Sequence, residues 1–151
     1  MLTNIYNFRQ ADECLATSGQ PKEYHFAEMY AAGYAAVINL ALHNDPRYSL
    51  PDERGTVEQA GMEYVHIPVQ FSDPTSTDLS LFCDAMDRLK GRKVWVHCAA
   101  NMRVTAFLGL YRVLRLKWEP PEAFRLMHDV WKPTGVWAHF IENQLLKRPA
   151  S

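Results

Sequence analysis

Short apolar strands alternating with amphipathic helices, closed by a run of helices, predict an α/β fold with a central, mainly parallel sheet flanked by helices and a helical C-terminal half. Two runs carry the strand reading. Ala35–Leu40 (Ala-Ala-Val-Ile-Asn-Leu) and Lys93–Cys98 (Lys-Val-Trp-Val-His-Cys) are brief, continuous and rich in β-branched residues, the pattern of strands covered on both faces. The helix reading rests on apolar residues at three- and four-residue spacing, clearest at Val104, Phe107, Leu108, Tyr111 and Leu114.

The elements follow in order. Asn4–Phe8 and Cys14–Thr17 are short strand candidates. Ser18-Gly19-Gln20-Pro21 is turn chemistry that opens a helix near Glu23. That helix places Phe26, Met29 and Tyr30 on one face and stops at Gly33. After the Ala35–Leu40 strand, the polar, proline-bearing stretch His43–Asp52 reads as a loop. Glu53–Ala60 is helical, with Gly61 as its stop, and Tyr64–Val69 is the next strand. Ser72–Thr75 is a loop, and Thr77 or Asp78 caps a helix carrying Leu79, Phe82, Cys83 and Met86. Gly91 turns the chain into the Lys93–Cys98 strand. Pro120-Pro121 opens a helix with Phe124, Met127 and Trp131, Pro133 interrupts it, and a last helix carries Trp137, Phe140, Ile141 and Leu145.

The 151 residues fit one domain, 1–151, without a linker, repeat or low-complexity tract. Apolar residues make up 48% and charged residues 22%, a globular composition that argues against disorder. Sixteen basic against seventeen acidic residues leave a formal charge of −1, a poor match to a nucleic-acid or polybasic membrane partner. No apolar run approaches the roughly 20 residues that span a bilayer, and Met1–Gln10 lacks a secretory pattern. Three cysteines, Cys14, Cys83 and Cys98, do not make a disulfide framework, so the expected compartment is the reducing cytoplasm. The six histidines show no metal-ligand spacing.

Chemistry concentrates in Val96-His97-Cys98-Ala99-Ala100-Asn101-Met102-Arg103-Val104-Thr105. A buried strand ends at Cys98, a loop of small or flexible residues follows, and a helix begins near Arg103. Ligands of open α/β sheets bind at the carboxyl ends of strands. The start of the next helix offers free N–H groups and a partial positive charge that favour an anion, thiolate or phosphate. An arginine five residues after the thiol can grip the same anion with two hydrogen bonds. Together these make an oxyanion site with a nucleophile inside it.

His97-Cys98 followed by Arg103 resembles the signature loop of the cysteine-dependent protein phosphatases of the tyrosine and dual-specificity superfamily. The order Ser18-Gly19-Gln20-Pro21, Val37-Ile38-Asn39-Leu40, Tyr64-Val65-His66-Ile67-Pro68-Val69, then the cysteine loop, is similar to that of the small bacterial dual-specificity-like branch. The superfamily pattern has five residues between cysteine and arginine, glycine third after the cysteine, and Ser or Thr after the arginine. Here four residues intervene, Asn101 takes the glycine place and Val104 follows the arginine. Two alignments fit. In one the loop is a residue short and Arg103 is the phosphate arginine, with Tyr111 in register with an aromatic of the family. In the other nothing is deleted, Thr105 keeps the hydroxyl place and Val104 replaces the arginine, which would make a poor phosphatase. Asn tolerates φ > 0 better than other non-glycine residues, so Asn101 can keep the turn.

The resemblance implies a phosphorylated substrate or inorganic oxyanion as partner, no cofactor and no metal. It implies Cys98 as nucleophile, Arg103 with Ala99, Ala100, Asn101 and Met102 as the phosphate cradle, and His97 and Thr105 in support. Its general acid would be Asp73, 25 residues before Cys98 in Gln70-Phe71-Ser72-Asp73-Pro74-Thr75, with Asp78, Asp52 and Glu53 as weaker candidates. Each residue also has a plainer reading. Cys14 and Cys83 are packing cysteines, Cys98 can be one, and Arg103 can be a surface cation. His97 can be a satisfied buried histidine, Asp73 an Asx-turn residue, and Thr105 a helix hydroxyl bonded to the preceding turn. Arg47 either faces the phosphate or solvent, and the tryptophans pack, with Trp131 and Trp137 able to wall the pocket. Two rival functions share the architecture: an oxyanion-binding module without turnover, and thiol chemistry such as sulfur transfer or redox sensing.

Overall fold

The computed structural model describes residues 1–44 and 49–148, so Arg47 lies outside the described residues. Five strands form one sheet in the order β1-β2-β5-β3-β4. They are β1 (Arg9–Asp12), β2 (Leu15–Ser18), β3 (Ala36–Asn39), β4 (Glu63–His66) and β5 (Val94–His97). β1 and β2 form an antiparallel hairpin, and every other pairing is parallel. The helices are α1 (Glu23–Ala31), α2 (Glu53–Gln59), α3 (Ser76–Arg88), α4 (Met102–Leu114), α5 (Pro120–Ala123), α6 (Arg125–Val130) and α7 (Gly135–Leu145).

Alternation along the strands separates two cores. Ala16, Val37, Tyr64 and Trp95 face α1 and α2, packing with Phe26, Met29 and Val57. Leu15, Ile38, Val94 and Val96 face the opposite side, packing with Phe82 of α3, Phe107 of α4 and Trp137 of α7. β3 and β5 are buried at every position, as their unbroken apolar runs predict. Helix α4 lies in the middle of the larger layer, and eleven of its residues are buried.

The parallel register sets the functional end. Ser18 pairs with His97, His97 with Asn39, and Asn39 with His66. Four polar residues therefore stand in a row across the carboxyl ends of the parallel strands.

The structure corrects the sequence reading in several places. Residues 2–4 form a 3-10 turn and the strand begins later, at Arg9, so Asn4–Phe8 is not a strand. The edge strand Arg-Gln-Ala-Asp is polar enough to hide its pairing with β2. Tyr30 is 56% exposed rather than sharing the buried face of Phe26 and Met29, because a nine-residue helix leaves it on the outer flank. Pairing in β4 stops at His66, although the backbone of Ile67 and Val69 still bonds to Asn39 and Leu40. Helix α3 is capped by Thr75, whose hydroxyl accepts from the Asp78 N–H while the Asp78 carboxylate accepts from the Thr75 N–H. No described helix is long and apolar enough to cross a membrane.

Gly109 marks the tightest packing in the larger layer. A Cβ there would come within 2.3 Å of the Phe124 ring, which is 5% exposed and cannot swing outward without opening the core. Gly109→Ala gains up to about 1 kcal/mol of helix propensity but overpacks the core at a cost of about 1–3 kcal/mol. The expected outcome in urea unfolding is a net destabilisation of about 1 kcal/mol. An unchanged or raised midpoint would show that the α4–α5 contact yields freely.

Candidate active site

Cys98 follows the last residue of β5 and is fully buried, its N–H donating to the Ser18 carbonyl at 3.3 Å. The chain then passes through Ala99 and Ala100 to Asn101, where φ is 66°, and enters α4 at Met102. Asn101 thus supplies the left-handed turn that a glycine would otherwise make. Its side chain does not cap the helix. Instead Asn101 Nδ2 donates to the Asn7 carbonyl at 2.8 Å and to Thr17 Oγ1 at 3.0 Å, while Asn7 Nδ2 donates to the Ala100 carbonyl at 3.0 Å. Asn7 is itself left-handed, with φ 52°. Two asparagines in the same unusual conformation thus tie the Asn7 segment to the loop at Ala100 and Asn101.

The segment Ser18–Pro21 braces the loop from the side. Gln20 N–H donates to the Ala99 carbonyl at 3.1 Å, and Gly19 N–H to the Tyr6 carbonyl at 2.7 Å. A Cβ on Gly19 would fall 2.6 Å from the Ala99 oxygen, so only glycine lets the two backbones meet.

Behind Cys98 lies a buried polar network. His97 Nε2 is 2.6 Å from Glu53 Oε2, and both side chains are fully buried. The His97 Nδ1 faces the Cys98 carbonyl at 3.2 Å. Each ring nitrogen thus has an oxygen within reach. Gln20 Nε2 donates to Glu53 Oε1 at 2.8 Å. Burial pushes the Glu53 carboxyl up, but the charge and hydrogen bond of His97, with hydrogen bonds from Gln20 and Tyr64, outweigh it and hold the carboxyl below its ordinary range. Asn39 donates to the Tyr64 hydroxyl at 3.0 Å, and burial beside Glu53 raises the phenol strongly. Next to it His66 donates to the Ala41 carbonyl at 2.7 Å and packs against the tilted His43 ring, its pKa lowered chiefly by burial.

Arg103 leaves the first turn of α4 almost buried, and its guanidinium donates to the Val69 carbonyl at 2.8 Å. It also stands 5.9 Å from the Phe71 ring. Val104, by contrast, is fully buried in the apolar core. Trp137 Nε1 donates to the Phe71 carbonyl at 2.7 Å. Arg103 and Trp137 therefore hold the backbone just before Asp73, which stays exposed on the loop leading to α3. The alternative acids have structural partners. Asp52 caps α2 through the Gly55 N–H, Asp78 completes the α3 cap, and Glu53 is sealed against His97. The Thr105 hydroxyl donates back to the Asn101 carbonyl at 2.8 Å and accepts from Trp131 Nε1 at 3.2 Å. Cys83 sits in the core, its thiol pushed up to about 12 by burial. Glu53 as the partner of His97, and Gln20 as the second partner of Glu53, were not evident from sequence, since 44 residues separate Glu53 from His97 and 33 separate it from Gln20.

Residues 5–127 match the family described as DSP-PTPase phosphatase fused to NAD+ kinase. A DUF442 protein of Shewanella putrefaciens CN-32, described as a phosphatase, is 33% identical, with a TM-score of 0.87 over 99% of this chain and 97% of that one. A beta-lactamase hydrolase-like protein of Xylella fastidiosa is 31% identical over 140 residues, 91% of this chain, and the chain spans about a third (32%) of that relative's length. Tk-PTP shares the fold, with a TM-score of 0.72 at 22% identity over 93% of this chain and 95% of that one.

The Glu53–His97 pair should be a main support of stability. Glu53→Ala leaves His97 buried without its partner, which costs about 3–5 kcal/mol, read by urea unfolding at pH 7. In the native chain the folded carboxyl titrates below its ordinary 4.5, so the contribution is complete above pH 4.5 and fades as the pH falls beneath it. A Glu53→Ala variant within about 0.5 kcal/mol of native, or a variant that keeps the native acid sensitivity, would contradict this reading.

Proposed function

The chain belongs to the family of dual-specificity-type phosphatase domains described as fused to NAD+ kinase, and from that premise we propose that it is a cysteine-dependent phosphomonoester hydrolase. The observation that carries the proposal is the sequence of strand end, Cys98, left-handed turn at Asn101 and uncapped start of α4, with Arg103 in its first turn. Support for the shortened-loop alignment comes from Val104, whose place in the core leaves Arg103 as the cation at the carboxyl end of the sheet.

Two steps follow. The Cys98 thiolate attacks phosphorus, forming an S–P bond as the P–O bond to the leaving group breaks, and Asp73 delivers its proton to that leaving oxygen. Water then attacks the phosphocysteine, Asp73 takes the water's proton, phosphate leaves and the thiolate is restored. Free N–H groups of the loop and helix start hold the equatorial oxygens. A guanidinium has five donors, so Arg103 can engage an oxyanion while keeping the Val69 carbonyl. That bond also couples the phosphate grip to the Asp73 loop. His97, held by Glu53, orients the strand end from which the thiol projects.

The test is hydrolysis of aryl phosphates at pH 5 to 8 in the presence of a chelator. Native chain should turn over p-nitrophenyl phosphate, and Cys98→Ser should not. Asp73→Asn should lose more on phenyl phosphate, whose leaving group needs a proton, than on p-nitrophenyl phosphate; a general acid contributes about 10²-fold or more. Tungstate binding with no turnover above the Cys98→Ser background would favour an oxyanion-binding module. Turnover indifferent to Asp73→Asn on both esters would remove Asp73 from the mechanism.

A further inference from the structure

A cavity of about 160 Å³ opens at the far end of the sheet from Cys98. It lies where β2 and β5 begin, between the ends of α3 and α4, with Leu15, Met86, Leu89 and Leu108 among its walls. Arg112 also lines it, nine residues beyond Arg103 on α4, or about 13 Å along the helix axis.

Arg112 is the unusual group. It is 7% exposed, yet its guanidinium has no hydrogen-bond acceptor and no ion pair among the described residues. The Trp118 ring stacks against it, 4.4 Å from the guanidinium carbon. Stacking on an aromatic face satisfies the flat side of a guanidinium but leaves its N–H edge unused. Burial opposes the charge and lowers the Arg112 pKa, with Asp12 the only opposing influence. Its N–H edge opens on the cavity, where the only facing carboxylate among the described lining residues is Asp12, so it can receive an anion with an apolar body.

We propose that this cavity is a ligand site for a small aromatic monocarboxylate of about benzoate size. The volume matches, since an apolar cavity of about 150 Å³ accommodates benzene. The planar fork of Arg112 fits a carboxylate edge-on with two hydrogen bonds. The rim charge favours a monoanion over a dianionic phosphate. Lys90 and Arg112 are offset by Asp12, and Arg92 is already bonded to Glu63 at 3.2 Å. The site is separate from the catalytic loop and does not depend on the phosphatase reading.

Cys14 lines the same cavity with an exposed thiol and serves as the reporter. The experiment follows iodoacetamide labelling of Cys14, resolved by peptide mass spectrometry, with benzoate, benzyl alcohol or inorganic phosphate added. Benzoate at about ten times its Kd should slow labelling of the native chain about tenfold. Benzyl alcohol and phosphate should not, and Arg112→Met should lose the protection. Absent protection by benzoate, equal protection by benzyl alcohol or by phosphate, or full protection retained in Arg112→Met would each overturn the proposal. The comparison of the three additives on the native chain decides the matter even if Arg112→Met does not fold.

Discussion

The 2.6 Å contact between His97 and Glu53 joins two fully buried side chains 44 residues apart in the chain. It ties the end of β5 to the first turn of α2, and through Gln20 to the segment that braces Ala99. Two fully buried ionisable groups are costly unless each is satisfied, and here each has its partners. The pair therefore fixes where β5 ends relative to its neighbours. Since Ser18, Asn39 and His66 stand in register with His97, the whole carboxyl edge of the sheet is fixed with it.

On that edge the loop after Cys98 solves a length problem. Only three residues separate Cys98 from Met102, the first residue of α4, so the chain must turn sharply there. Asn101 makes the turn at positive φ, and the exchange of hydrogen bonds with Asn7 anchors it. Asn7, between the 3-10 turn and β1, reaches across to the loop. Arg103 extends the arrangement in the other direction, to the Val69 carbonyl and the segment that carries Asp73.

The sequence exposed the fold class and family through local patterns: apolar β-branched runs for β3 and β5, three- and four-residue spacing for α4, and the strand–cysteine–loop–arginine–helix order. It did not expose β1, because the hairpin depends on pairing with β2 rather than on an apolar pattern. It placed the α3 cap two or three residues late, since Ser76 and Thr77 mimic cap chemistry and only backbone geometry selects Thr75. Of the candidate site, the strand-end place of Cys98 and the helix start near Arg103 were legible as local features. The Asn7–Asn101 clamp, the Glu53–His97 pair and the Arg103–Val69 bond were not, because they span 94, 44 and 34 residues and arise only on folding. The Arg112 cavity left no sequence signal either: one arginine in a helix looks like any surface cation until its burial is seen.

The central claim is that Cys98 is the phosphoryl acceptor. It is tested most directly by mixing the native chain with p-nitrophenyl phosphate, quenching in acid within a turnover, and locating the bound phosphate by peptide mass spectrometry. The account predicts phosphate on the peptide containing Cys98, at a level that rises and falls with turnover. Phosphate on another residue, or turnover with no phosphoenzyme even in an Asp73→Asn variant that slows its hydrolysis, would contradict it.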